Sequence, residues 1–147
     1  MVKSFFWKYS LLILFFSLSY SGFAEIPSQE PQGVDEYIKL AREYENAGNA
    51  NQAVYYYDKA ANAYWRANDY QNAIVYFEKA LENITKVGNK NGEKLLYVNL
   101  GLVYSEISDY THAQKCFESA LNISTSSGKK GDVGQILYNI STVQIEQ

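Results

Sequence analysis

From Val34 onward, apolar side chains return at helical spacing and are interrupted at regular marks. Tyr37, Leu40, Ala41 and Tyr44 share one face, as do Ala53, Tyr56, Tyr57, Ala60 and Tyr64. Ala73, Phe77, Ala80, Leu81 and Ile84 form a third stripe, and Tyr97, Leu100, Gly101 and Tyr104 a fourth. Ala113, Phe117, Ala120 and Leu121 follow, then Leu137, Ile140 and Val143. This is the period of amphipathic helices, and no segment alternates with the period of a strand. The breaks fall at Gly48-Asn49, Asn68-Asp69, Gly88 to Gly92, Ser108-Asp109 and Gly128 to Gly131. Together they predict six helices, at about 34–47, 51–66, 70–87, 92–107, 110–126 and 132–146. Asp69 and Asp109 stand where an N-cap side chain accepts the free amides of the next turn. Turns this short force neighbouring helices antiparallel, so the fold class is all-α.

The stripes repeat. Asp69-Tyr70 and Ala73, Phe77, Ala80 and Leu81 recur 40 residues later as Asp109-Tyr110 and Ala113, Phe117, Ala120 and Leu121. The same offset joins Gly88 to Gly128 and Asn99 to Asn139, while Ala53 begins a looser copy 20 residues before Ala73. Small residues at fixed positions let helix backbones approach, and large ones fill the space between layers. Such units bury a continuous core only when stacked.

On these residues the chain resembles the tetratricopeptide-repeat family. In Lys94 to Ser127, Tyr97 stands at the position where Trp is frequent; Leu100, Gly101, Tyr104, Ala113, Phe117 and Ala120 match the remaining signature, and the closing proline is absent. Val54 to Val87 and Val34 to Ala67 fit the same pattern, so the helix near 51–66 can serve as second helix of one pair or first of the next. The resemblance implies a right-handed α-α superhelix of about six antiparallel helices over 34–147, with the last repeat incomplete. Its period exceeds the family's usual one. The excess falls at Val87 to Gly92 and Ser127 to Asp132, read as Gly-basic-Gly linkers. Arrays of this kind resemble the kinesin-light-chain type and the repeats that precede bacterial sensor kinases. The family's ligands lie along the face of first helices, which implies peptide-binding candidates at Lys39, Lys59, Asn99 and Asn139. An Asn amide carries both donor and acceptor for the backbone of an extended peptide. The family's carboxylate clamp is not expected, because Asp58 and Val98 occupy its lysine positions.

The first 24 residues read differently: Lys3 and Lys8, a short apolar run from Ser10 to Tyr20, then small residues at Gly22 and Ala24. That order is a signal peptide over 1–24, followed by a flexible linker at 25–33 holding Pro27 and Pro31. The expected location is the periplasm or the exterior; the alternative is an uncleaved membrane anchor. Removing this segment moves the formal charge from −3 to −5. An acidic chain with scattered lysines offers no footprint for nucleic acid and no polybasic membrane patch.

Composition argues against catalysis. His112 is the only histidine and Cys116 the only cysteine; they share a helix face, but a stable metal site needs more ligands. No cofactor, metal or catalytic residue is expected. Asn83, Asn122 and Asn139 each begin a glycosylation-type triplet within a predicted helix. Tyr55, Trp65 and Ile136 are candidate interaction residues. Ile136, Leu137, Ile140 and Val143 are expected to lie open on the last helix and to support docking or self-association. The function expected is an exported, non-catalytic scaffold for a protein or peptide. The alternative is a sensory module belonging to a larger signalling protein such as a sensor kinase.

Overall fold

The computed structural model describes residues 33–127 and 131–146; the expected signal peptide at 1–24 and most of the linker at 25–33 lie outside them. Six helices follow in order: α1 (Val34–Asn46), α2 (Ala50–Arg66), α3 (Tyr70–Val87), α4 (Lys90–Glu106), α5 (Tyr110–Ser126) and α6 (Val133–Glu146). There is no strand among the described residues. Each helix packs chiefly on its neighbours in the chain, which is the arrangement of a helical solenoid.

Three of the corners are copies of one another. Each helix ends on a residue in the left-handed region: Gly48 (φ 74°), Asn68 (φ 60°) and Ser108 (φ 59°). The next residue's amide donates back to a tyrosine carbonyl: Asn49 to Tyr44, Asp69 to Tyr64 and Asp109 to Tyr104, at 2.8–2.9 Å. The left-handed residue donates to the carbonyl after the tyrosine, completing a Schellman closure. The same Asn49, Asp69 and Asp109 then turn their side chains forward and accept from Gln52, Asn72 and His112 backbone amides. One residue therefore satisfies orphan groups at the end of one helix and the start of the next. Helix α2 has such a corner at both ends, so it does belong to two pairs.

The α3–α4 corner is shorter. Gly88 (φ 74°) closes α3 and Asn89 caps α4 through the Gly92 amide at 3.0 Å. The expected linker from Val87 to Gly92 is thus mostly helix, with α4 starting at Lys90 rather than 92. At this corner the long period adds helical turn, not loop, because Asn89 supplies a cap that lets α4 begin at once.

The core is built from alanine against aromatic rings. Ala41, Ala53, Ala60, Ala61, Ala73, Ala80, Ala113 and Ala120 are wholly buried beside Tyr57, Phe77 and Phe117. Two clusters result. One joins α1, α2 and α3 to Leu96, Leu100 and Val103 of α4. The other joins α5 and α6, with Tyr97, Val98, Leu102 and Tyr104 of α4 packed against it. Gly101 makes the second possible: a Cβ there would stand 2.5 Å from the Phe117 ring. Forty residues earlier the register is filled by Ala61, which fits.

Polar contacts tie the layers. Glu45 of α1 accepts from the Asn83 amide of α3 and from the Tyr57 hydroxyl of α2, both at 2.7 Å. These two hydrogen bonds, Asn83 first, hold the Glu45 carboxyl below its ordinary value. Lys94, buried at the start of α4, pairs with Asp132 ahead of α6.

Gly101→Ala is expected to destabilise the chain. Overpacking costs about 1–3 kcal/mol, more than the roughly 1 kcal/mol gained in helix propensity, and thermal unfolding by circular dichroism reads the net loss. Glu45 carries a second prediction. A carboxyl whose folded pKa is depressed adds stability that is present above its unfolded value of about 4.5 and is lost as pH falls through the folded value. The stability gap between the chain and Glu45→Gln should therefore be widest near neutrality. It should narrow as urea titrations are repeated at successively lower pH below 4.5.

Candidate interaction surface

Alternate helices of an antiparallel stack run parallel, so α2, α4 and α6 lie in one layer and α1, α3 and α5 in the other. The bond from Asn83 to Glu45 places α1 beside α3. In the first layer, positions 40 residues apart fall in register. Tyr55, Leu95 and Gln135 form one row, and Lys59, Asn99 and Asn139 the next. Asn62, Leu102 and Thr142 follow, then Arg66, Glu106 and Glu146. All twelve are at least partly exposed. Only the last of these rows is charged on all three helices.

The structure brings three of the four expected peptide-binding residues to one row: Lys59, Asn99 and Asn139, all half-buried. Lys59 holds its ammonium 5.4 Å from the Tyr55 ring centre. Asn139 accepts at Oδ1 from the Gln135 amide at 3.2 Å, leaving its NH2 as a donor. Lys39 does not join them. It sits on α1, in the other layer, exposed and 3.9 Å from Glu43. The 20-residue offset that relates α1 to α2 also reverses the helix direction, so register is kept only at multiples of 40.

The three expected interaction residues divide. Tyr55 is 45% exposed, its ring set edge-on against Tyr56 at 5.0 Å. Trp65 is half-buried, edge-to-face with Phe77 at 6.1 Å, and belongs to the core's margin. Ile136 is only 2% exposed, and Ile140 and Val143 are buried with it against α5. That corrects the expected open face, because those three residues are the ones that hold α6 in place. The apolar surface α6 does present is Leu137, Tyr138 and Ile145, the last two 67% and 83% exposed.

Between α4 and α6 the layer opens into a cleft of about 410 Å³. Leu102, Phe117, Tyr138 and Val143 give it apolar walls; Ser105, Asn139 and Thr142 add polar atoms, and Glu106 and Glu146 stand at its edge. Of these, sequence reasoning found Asn139 alone. The 40-residue register would have led from it to Tyr138, Thr142 and their counterparts on α4.

The triplet at Asn83 is closed to modification in the folded chain: Asn83 is 2% exposed and donates to Glu45 and to the Lys79 carbonyl. Asn122 is exposed and Asn139 half-buried. No grouping of three metal-ligating side chains occurs among the described residues. No helix among them is long and apolar enough to cross a membrane.

Cys116 takes its character from the corner before it. Tyr44 stacks on Tyr56, and Tyr64 on Tyr76, each at 5.5 Å and 4°. At the third equivalent corner Cys116 stands where the second tyrosine would be, and Tyr104 stacks on His112 instead, at 5.2 Å. The His112 Nδ1 is held by the Asp109 carboxylate at 2.8 Å. Burial, with the charges of Glu78 and Asp109, pushes the Cys116 thiol up to about 11, and an unionised thiol is a poor nucleophile. Iodoacetamide at pH 8 should alkylate Cys116 about 100-fold more slowly in the folded chain than in urea, as thiolate content dictates. Mass spectrometry of timed aliquots checks this.

The residues from 56 to 126, α2 through α5, match the Tetratricopeptide repeat family model. No curated protein matches the chain. Among solved structures it is similar to BtubC (BKLC) from P. vanneervenii, at 22% identity over 81% of this chain and a TM-score of 0.56. It is also similar to the apo form of RapI, at 17% identity over 83% of this chain and a TM-score of 0.54. The alignments span 59% and 52% of those two proteins. At such identities the likeness shows the fold alone. Residues 56–126 are tetratricopeptide repeats.

Proposed function

We propose that the chain is an exported scaffold that binds a protein or peptide segment along the α2–α4–α6 layer and performs no chemistry of its own. Tetratricopeptide repeats are protein–protein interaction scaffolds, and a fold of this kind takes its function from the site it carries. The observation that carries the reading is the row of Lys59, Asn99 and Asn139, half-buried in register on parallel helices. Side chains spaced this way meet an extended backbone at successive positions. Export rests on the order of residues in 1–24, and an N-terminus at Glu25 on chain recovered from cells would support it.

A second reading makes the repeats a sensory module of a larger signalling protein. It is favoured by Leu137, Tyr138 and Ile145, which lie exposed on α6 and give a further helix, a partner or a second copy a place to dock. Light scattering of the purified chain distinguishes self-association from the other two.

For the layer itself, capture of interacting protein by the immobilised full chain is expected to fall about tenfold or more with Asn99→Ala and Asn139→Ala combined. That is the loss of about 1.4 kcal/mol that one or two hydrogen bonds supply. Undiminished capture by the folded double variant would remove this row as the site.

A further inference from the structure

We infer that the cleft between α4 and α6 takes a cationic side chain, arginine or lysine, carried on a peptide next to an aliphatic residue. The inference rests on the peptide-binding reading above and names the chemistry of its ligand.

The cleft's polar atoms are biased toward acceptors. The Ser105 hydroxyl donates its proton to the Gly101 carbonyl at 2.8 Å, and the Thr142 hydroxyl donates to the Tyr138 carbonyl at 3.1 Å. Both oxygens are therefore left with lone pairs to offer a donor. Glu106 and Glu146 are acceptors only, and neither forms an ion pair among the described residues. No lysine, arginine or histidine lines the cleft to neutralise them. On α2 the same register position holds Arg66, so the acidic edge is confined to α4 and α6.

A guanidinium offers five donors and no acceptor, an ammonium three donors and none. Either answers four acceptor sites and two uncompensated charges. The apolar walls, Leu102 and Tyr138 above all, bury the stem of such a side chain and the aliphatic residue beside it. The Asn139 NH2, its oxygen already engaged, is left to meet a peptide carbonyl. An acidic or carboxylate-ended segment would meet like charge at the edge.

The test is an array of random hexapeptides, acetylated and amidated, probed with the full chain. Bound peptides should be enriched in arginine or lysine beside leucine, isoleucine or valine. The enrichment should vanish with Glu106→Gln and Glu146→Gln combined. A peptide drawn from the enriched set should bind that variant about tenfold more weakly in fluorescence anisotropy, and should weaken with added salt, as charge pairs at an interface do. Both glutamates are exposed, and circular dichroism reports whether the variant keeps its helices. Tyr138→Ala, at a side chain outside the core, should weaken the same peptide without removing the preference for cations. Peptides bound with no cationic enrichment, or with enrichment that survives the double variant, would overturn this inference and leave the scaffold reading standing. An array that captures nothing would overturn both.

Discussion

Asn49, Asp69 and Asp109 each serve two helices at once, and the geometry of the stack follows from that double duty. The amide of each closes the helix behind it while its side chain opens the helix ahead. With no spare residue in the connection, the angle between helices is fixed by backbone hydrogen bonds and does not depend on packing alone. The tyrosine whose carbonyl receives the closing bond is the one that stacks at the corner. Backbone closure and aromatic packing therefore reinforce each other at the same place.

Much of this was written in local sequence. The helices, their antiparallel order and the 40-residue repeat follow from apolar spacing and from Gly, Asn and Asp at the breaks. Those signals act within a few residues and survive any tertiary arrangement. The place of α2 between two such corners was legible too, because Gly48-Asn49 and Asn68-Asp69 are corner residues of the same kind. The stacking of Tyr44 on Tyr56 and of Tyr64 on Tyr76 was not, since each pair is twelve residues apart across a turn and no helical period links its members.

The misread positions share a cause. Helix α6 is apolar at Ile136, Leu137, Ile140 and Val143, and periodicity marks all four without saying which side meets α5. The structure turns Ile136, Ile140 and Val143 inward and leaves Leu137 out. Lys39 lies apart from the other three candidates for a related reason: a 20-residue offset copies the corner yet changes the layer. Asn99, Asn139 and Tyr55 were singled out because they occupy a register position or break a pattern. The cleft was missed because its walls come from α4, α5 and α6 together, and only Asn139 among them stood at a position where the family pattern implies a ligand contact.

Helix α4 has a face in each of the two clusters. Leu96, Leu100 and Val103 belong to one, and Tyr97, Val98, Leu102 and Tyr104 pack against the other. In a linear stack, cooperativity passes from neighbour to neighbour, so the halves of this domain communicate through the rigidity of a single helix. Whatever occupies its exposed side presses on a shared wall. Order gained there is shared by both halves of the domain, although the ligand itself need touch only one.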